Sequence, residues 1–184
     1  MIIGIDPSIN STGVCVWDDT ATGINKYYII PSKVTKKMQQ FDNQWVQLLP
    51  YEKIVATNEV YSVKEQRKFE NLYNICKKVG WILDTFSPSI VYMEGVSYGS
   101  VGSAALVDLA MLNGMLRYVI GSRNIPFVIV SPTELKKFAC ANGQAEKDVM
   151  IDAWKRLDPN IQPIKDVKID DLADAYFLAH YSPL

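Results

Sequence analysis

Histidine is almost missing from this chain: His180 is the single one in 184 residues. That excludes a metal centre built from several imidazoles, and any Ser-His-Asp arrangement would have to use this one side chain near the C-terminus. Cysteine is nearly as scarce. Cys15, Cys76 and Cys140 are odd in number, far apart and without a Cys-x-x-Cys pair. This is a pattern of reduced intracellular thiols, not of a disulfide framework or a zinc site. No apolar run reads as long enough to cross a membrane. The opening MIIGIDPS has neither a basic stretch nor a small-residue cleavage site, so a signal peptide is not expected and a cytoplasmic protein is. Net charge is lacking as well, at −1, whereas a dedicated nucleic-acid binder is usually basic.

What is present suits one globular domain over 1–184, with 48% hydrophobic and 21% charged residues, enough for one sizeable core. The charge is unevenly spread. Residues 26–78 hold ten Lys and Arg against five Asp and Glu, and acids gather in 166–174. A basic stretch apart from an acidic cluster can bind a polyanion at one place and cations at another; it can equally be a solvated helical surface.

Periodicity orders the elements. MIIGI, GVCVWDD and KYYIIPS read as three strands close enough to pair as an antiparallel meander. Residues 35–86 read as helical, in two pieces broken near Pro50, with Phe69, Leu72, Tyr73, Cys76, Val79, Ile82, Leu83 and Phe86 on one face. SIVYME is a fourth strand, Ala104 to Ile120 a helix apolar nearly all round, and Ile125 to Val130 a fifth strand. SPTE at 131–134 is a capping box with Pro at the first helical position. Helices follow at about 145–157 and 171–181. Three meandering strands followed by βαβ crossovers predict an α/β fold: a mixed five-stranded sheet flanked by helices, with a helical insertion at about 32–87.

Asp6 ends the first strand and Glu94 the fourth. If those strands are parallel neighbours, both carboxylates emerge at the sheet edge where open α/β sheets place their sites. In IDDLADAYFLAHY, Asp171 and Asp174 are three apart and share a helix face, while Leu172, Ala175, Tyr176 and Ala179 form the adjoining apolar face. Clustered carboxylates raise one another's pKa unless something positive sits among them. Oxygen donors without histidine or cysteine suit Mg²⁺ or Mn²⁺, and two such ions can drive phosphodiester cleavage. Each acid also has a plain reading: Asp6 before Pro7 as an Asx turn, Glu94 as an exposed strand end, the aspartates as macrodipole partners. Asp170 is the best N-cap candidate and stays outside the catalytic set.

These segments resemble the RuvC family of Holliday-junction resolvases, within the ribonuclease H-like nuclease superfamily. IIGIDPSINSTG is similar to that family's opening strand, with Asp6 as first acid. VYMEGV resembles its second motif, with Glu94; GQAEKDVM its Gly-x-Ala-x-Lys helix start, with Lys147; and DDLADAYFLA its closing Asp-x-x-Asp-Ala motif, with Asp171 and Asp174. The resemblance implies a ribonuclease H-like fold and a homodimer that cuts two strands of a four-way DNA junction. It also implies Mg²⁺ dependence and a Lys147 near the scissile phosphate, in keeping with the two Mg²⁺ or Mn²⁺ ions per site that the four carboxylates suggest.

Where the family commonly carries an aromatic wedge after the second acid, the nearest aromatic here is Tyr98, a candidate for stacking on an unpaired base. Lys33, Lys36, Lys37, Lys136 and Lys137 are candidates for phosphate contacts. In the resembled family the helix matching 104–120 forms the dimer contact. The long 32–87 segment and the low charge point to a divergent, phage- or virus-type member, working in a bacterial or virus-infected cell. Rival readings are a nuclease acting on flaps, forks or RNA–DNA hybrids, an actin-like nucleotide-binding protein and an inert DNA-binding module.

Overall fold

The fold is taken from a computed structural model, which describes residues 1–20, 23–40, 42, 45–55, 59–96, 104–158, 161 and 169–182. The sheet has six strands: β1 (Ile2–Asp6), β2 (Ser11–Trp17), β3 (Asn25–Pro31), β4 (Val46–Leu48), β5 (Ile90–Glu94) and β6 (Phe127–Val130), in the order β4-β3-β2-β1-β5-β6. β1, β2 and β3 form the expected antiparallel meander, and β5 and β6 add in parallel beside β1.

Strand alternation sorts the side chains between two cores. Ile3, Ile5, Val14, Val16, Tyr28, Ile30, Val91 and Met93 face α2 (Tyr61–Phe86) and α3 (Ala104–Gly121). Cys15, Tyr27, Ile29 and Tyr92 face the other way, toward α4 (Pro132–Cys140), α5 (Lys147–Leu157) and α6 (Asp170–Ala179). Asp6 and Glu94 keep the parity of Gly4 and Tyr92, so both carboxylates belong to the α6 face. The Leu172, Ala175, Tyr176 and Ala179 face of α6 is buried as expected. The capping box at Ser131 and Glu134 forms in both directions, Glu134 N–H donating to Ser131 Oγ at 3.2 Å and Ser131 N–H to Glu134 Oε2 at 3.0 Å.

Four expectations are corrected. The sheet has six strands, not five, because Val46-Gln47-Leu48 alternates buried, exposed, buried and pairs in parallel with β3. Segment 32–87 is therefore not wholly helical: α1 (Lys36–Gln39) is a single turn, and β4 lies between it and α2. Phe69 and Tyr73, placed by periodicity on the inward face of α2, are half-exposed and stack on each other with centroids 5.8 Å apart. Finally, α3 is by length and composition apolar enough to span a bilayer. Here one face of it, Leu112, Asn113, Leu116 and Ile120, is buried against α2 and the sheet; Asp108 and Arg117 interrupt the apolar run.

Candidate active site

Asp6 and Glu94 lie side by side. In the parallel β1·β5 pair Ile5 stands opposite Met93, and the next residue on each strand is an acid. The two carboxyl groups share a hydrogen bond. Asp171 and Asp174 reach the same edge because α6 lies almost flat on the sheet. Gly4 and Gly13 make that possible. A Cβ on Gly4 would overlap the Ala175 carbonyl and come within 2.9 Å of Leu178 Cβ, and one on Gly13 would overlap the Asp171 carbonyl. Gly13 is the partner of Asp6 in the β1·β2 register, so the first turn of α6 is set directly beside Asp6.

The electrostatics record this crowding. Burial pushes the Asp6 carboxyl well above the usual carboxylate range, and the charges of Glu94, Asp171 and Asp174 push it further. Burial raises Glu94 too, against the Asp6 hydrogen bond and the positive Lys136 and Lys147. Burial carries Asp171 up to about 6, opposed chiefly by a hydrogen bond with Ser11. Burial, then Glu94, Asp170 and Asp171, carry Asp174 up to about 7. All four acids of the sequence reading are thus in mutual electrostatic range.

Among the described residues no three acidic, cysteine or histidine side chains are gathered as a ready metal cage. The donor set itself suits a hard divalent cation: oxygen ligands only, largely buried, with more negative charge than the two nearby lysines balance.

The remaining candidates divide. Lys147 opens α5 and pairs with the carboxylate of Asp170. Asp170 is not the N-cap of α6; that position is Ile169, and Asp170 is the first helical residue. Lys136 is half-buried and within Coulombic reach of Glu94, while Lys137 faces solvent on the same helix. Lys33, Lys36 and Lys37 are exposed. They follow β3 at the same sheet edge as the acids, where Ser32 N–H donates to Asn10 O at 3.0 Å. Tyr98 lies outside the described residues.

Sequence reasoning missed several supports. Buried Thr12 donates to Ser8 O at 2.6 Å and accepts from Ser8 N–H at 3.1 Å, closing the turn after Asp6. Tyr51 ties the same turn through Ile9 O at 2.6 Å. Buried Asn113 donates to Glu94 O at 2.9 Å, and its own carbonyl accepts from Arg117 Nε at 2.9 Å. An Asn inside an otherwise apolar helix was the available signal. His180 takes no part. It stacks between Trp17 and Tyr176 and lies 2.9 Å from Asn25 Oδ1. Burial lowers it to about 4, which keeps it neutral.

Comparison with known proteins adds a family. The family model described as "Crossover junction endodeoxyribonuclease RuvC" matches residues 50–180. The protein of that name from Corynebacterium glutamicum is 31% identical over 126 residues, 68% of this chain; the alignment spans only about half of that relative, 55%. The one from Orientia tsutsugamushi strain Boryong is 28% identical over 176 residues, 96% of this chain and 92% of the relative. Among solved structures, Thermus thermophilus RuvC aligns with a TM-score of 0.58 at 20% identity, over 97% of this chain and 90% of that one. The yeast mitochondrial Holliday junction resolvase Ydc2 aligns with a TM-score of 0.52 at 16% identity, over 97% and 75%. At such identities the structural likeness is one of fold, and it bears out the α/β, ribonuclease H-like class.

Proposed function

Because the chain belongs to the RuvC crossover junction endodeoxyribonuclease family, we propose that it is an endodeoxyribonuclease that resolves four-way DNA junctions by paired nicks. The observation that carries this reading is the convergence of Asp6, Glu94, Asp171 and Asp174 from two adjacent strand ends and one helix start. These four carboxylates hold Mg²⁺ or Mn²⁺, two ions per site. Such ions supply an activated water and neutralise the leaving oxygen in phosphodiester hydrolysis.

The protein's own residues do the rest. Rigid β1 and β5 ends fix Asp6 and Glu94 without loop freedom. The Asp6–Glu94 hydrogen bond holds the two carboxyl groups side by side at the strand ends. Lys147 reaches toward the scissile phosphate and offsets charge that develops there. Lys33, Lys36, Lys37 and Lys136 line the approach as phosphate contacts, with Lys137 farther out. Branched DNA is the substrate, as in the Holliday junction complex solved for Thermus thermophilus RuvC.

Paired nicks need two sites, and α3 offers the seam for a second copy. Val107, Met111, Gly114 and Tyr118 recur at spacings of four, three and four, the pattern of a helix–helix interface. The first two and the last are 59%, 40% and 76% exposed. The Lys68–Asp108 ion pair, 3.6 Å, ties α3 to α2, whose Phe69 and Tyr73 are half-exposed.

The test is incubation of a labelled synthetic four-way junction, a flap and an RNA–DNA hybrid with Mg²⁺ or with EDTA. Symmetrical paired nicks in the junction, only with metal, are expected. Preferred cutting of the flap or hybrid would move the substrate elsewhere, and undiminished cutting by Asp6→Asn would remove the chemistry.

A further inference from the structure

We propose that Asp170 is a positioning residue: its carboxylate holds the Lys147 amine over the acidic edge and away from Asp171 and Asp174. The role of Lys147 in cleavage rests on the nuclease reading above; the pairing does not.

Two helix starts meet at this edge. Lys147 is the first residue of α5 and Asp170 the first of α6. A lysine at a helix N-terminus sits against the positive end of the macrodipole, where a carboxylate is favoured. The N-cap of α5, Glu146, makes no side-chain cap, and although Asp148 also lies in the first turn, the carboxylate that pairs with the Lys147 amine is the one from α6. The two partners are unequally held. Asp170 is buried, at 8% exposure, while the Lys147 side chain is 72% exposed. A fixed carboxylate therefore decides where a flexible four-carbon stem ends.

The neighbourhood gives this a purpose. Lys147 acts electrostatically on Glu94, Asp171 and Asp174, any of which could bind it. An ammonium seated on Asp171 or Asp174 would fill the place those acids offer to a divalent cation. Asp170 removes that competition and leaves the amine at the rim, where a phosphate can reach it. Asp170 is accordingly outside the metal-holding set, and its effect on cleavage passes through Lys147.

Two measurements on the full chain test this. In metal-free, DNA-free protein, amine acylation is followed lysine by lysine by mass spectrometry. Asp170→Asn should speed the modification of Lys147 and leave Lys33 and Lys137 unchanged. In junction cleavage at saturating enzyme, Asp170→Asn should slow the rate about tenfold. Junction affinity in EDTA should stay within about twofold, and Asp170→Glu should recover most of the rate. In a Lys147→Met background, Asp170→Asn should change the rate by less than about twofold. Equal losses in both backgrounds, or unaltered Lys147 acylation, would overturn the proposal. Asp170→Ser serves the same arms if the Asn variant does not fold. A wild-type protein that cuts no junction, yet shows the acylation contrast, sinks the nuclease reading and the catalytic purpose while the pairing stands.

Discussion

Asp171 rests on Gly13. Its carbonyl oxygen and carbonyl carbon occupy the space a Cβ at position 13 would need, and its own Cβ would lie 3.1 Å from that atom. Gly13 also faces Asp6 across β1 and β2. One missing side chain thus sets the separation between the strand that bears the first acid and the helix that bears the last two. Gly13→Ala must lift the start of α6. The expected cost is about 2 kcal/mol of overpacking, a fall in melting temperature of about 5 °C. Cleavage should fall further than stability does, because Asp171 moves relative to Asp6. A Gly13→Ala protein with unaltered melting and full cleavage would mean that α6 does not seat the acids as described.

Asp6→Asn separates catalysis from stability. Asp6 is buried and repelled by Glu94, Asp171 and Asp174, so in the metal-free protein its charge is unfavourable. An amide of the same shape removes the repulsion and keeps the packing. Cleavage should vanish, while the melting temperature in EDTA at pH 8 rises by about 3 °C or more. Both are read on one preparation, by gel and by calorimetry. A melting temperature that falls would assign Asp6 an ordinary structural role, such as the Asx turn its position before Pro7 also suggested.

Much of this site was legible because each acid sits at a structural boundary. The apolar run ending at Asp6, the run ending at Glu94 and the three-residue spacing of Asp171 and Asp174 place carboxylates at element ends, and parallel pairing of two strands brings them together. The illegible parts depend on tertiary neighbours. β4 has only three residues, too short for a period-two signal beside a long helical pattern. The outward turn of Phe69 and Tyr73 depends on where α3 lies, which spacing within α2 does not encode. Asp170 read as a cap because Asp favours that position; its ion pair with Lys147 links residues 23 apart in sequence.

Stability against pH should carry the signature of Asp174. In the folded protein its carboxyl titrates at about 7, against about 3.9 in an unfolded chain. Folded protein therefore binds more protons than unfolded protein between about pH 4 and 7, and stability is lost as pH rises through that window. His180 works in the opposite sense, since its folded value of about 4 removes stability as pH falls below about 6.5. The informative quantity is the difference between wild type and Asp174→Asn, in which His180 cancels. Without metal, the variant should be the more stable by on the order of 2 kcal/mol at pH 8. The gap should close toward pH 5, and saturating Mg²⁺ at pH 8 should reverse its sign. A gap independent of pH and Mg²⁺ would show that Asp174 carries no buried charge.

The α3 seam is tested by charge. Leu112, Leu116 and Ile120 are committed to the core, so the face bearing Val107, Met111 and Tyr118 is free of any fold-stabilising duty within one chain. Replacing Met111 or Tyr118 by Glu should leave the melting temperature of a single chain within about 2 °C. Across a two-fold axis each substitution puts two Glu, one from each copy, into the same apolar contact, and burying unpaired charge there costs several kcal/mol. Light scattering should then report one chain where the wild type gives two. Junction cutting should change from paired nicks to single ones, with the acidic site intact. If the wild type scatters as a monomer at micromolar concentration and still nicks in pairs, α3 is not the seam. The coordination of the two cuts would then have to come from the branched DNA alone.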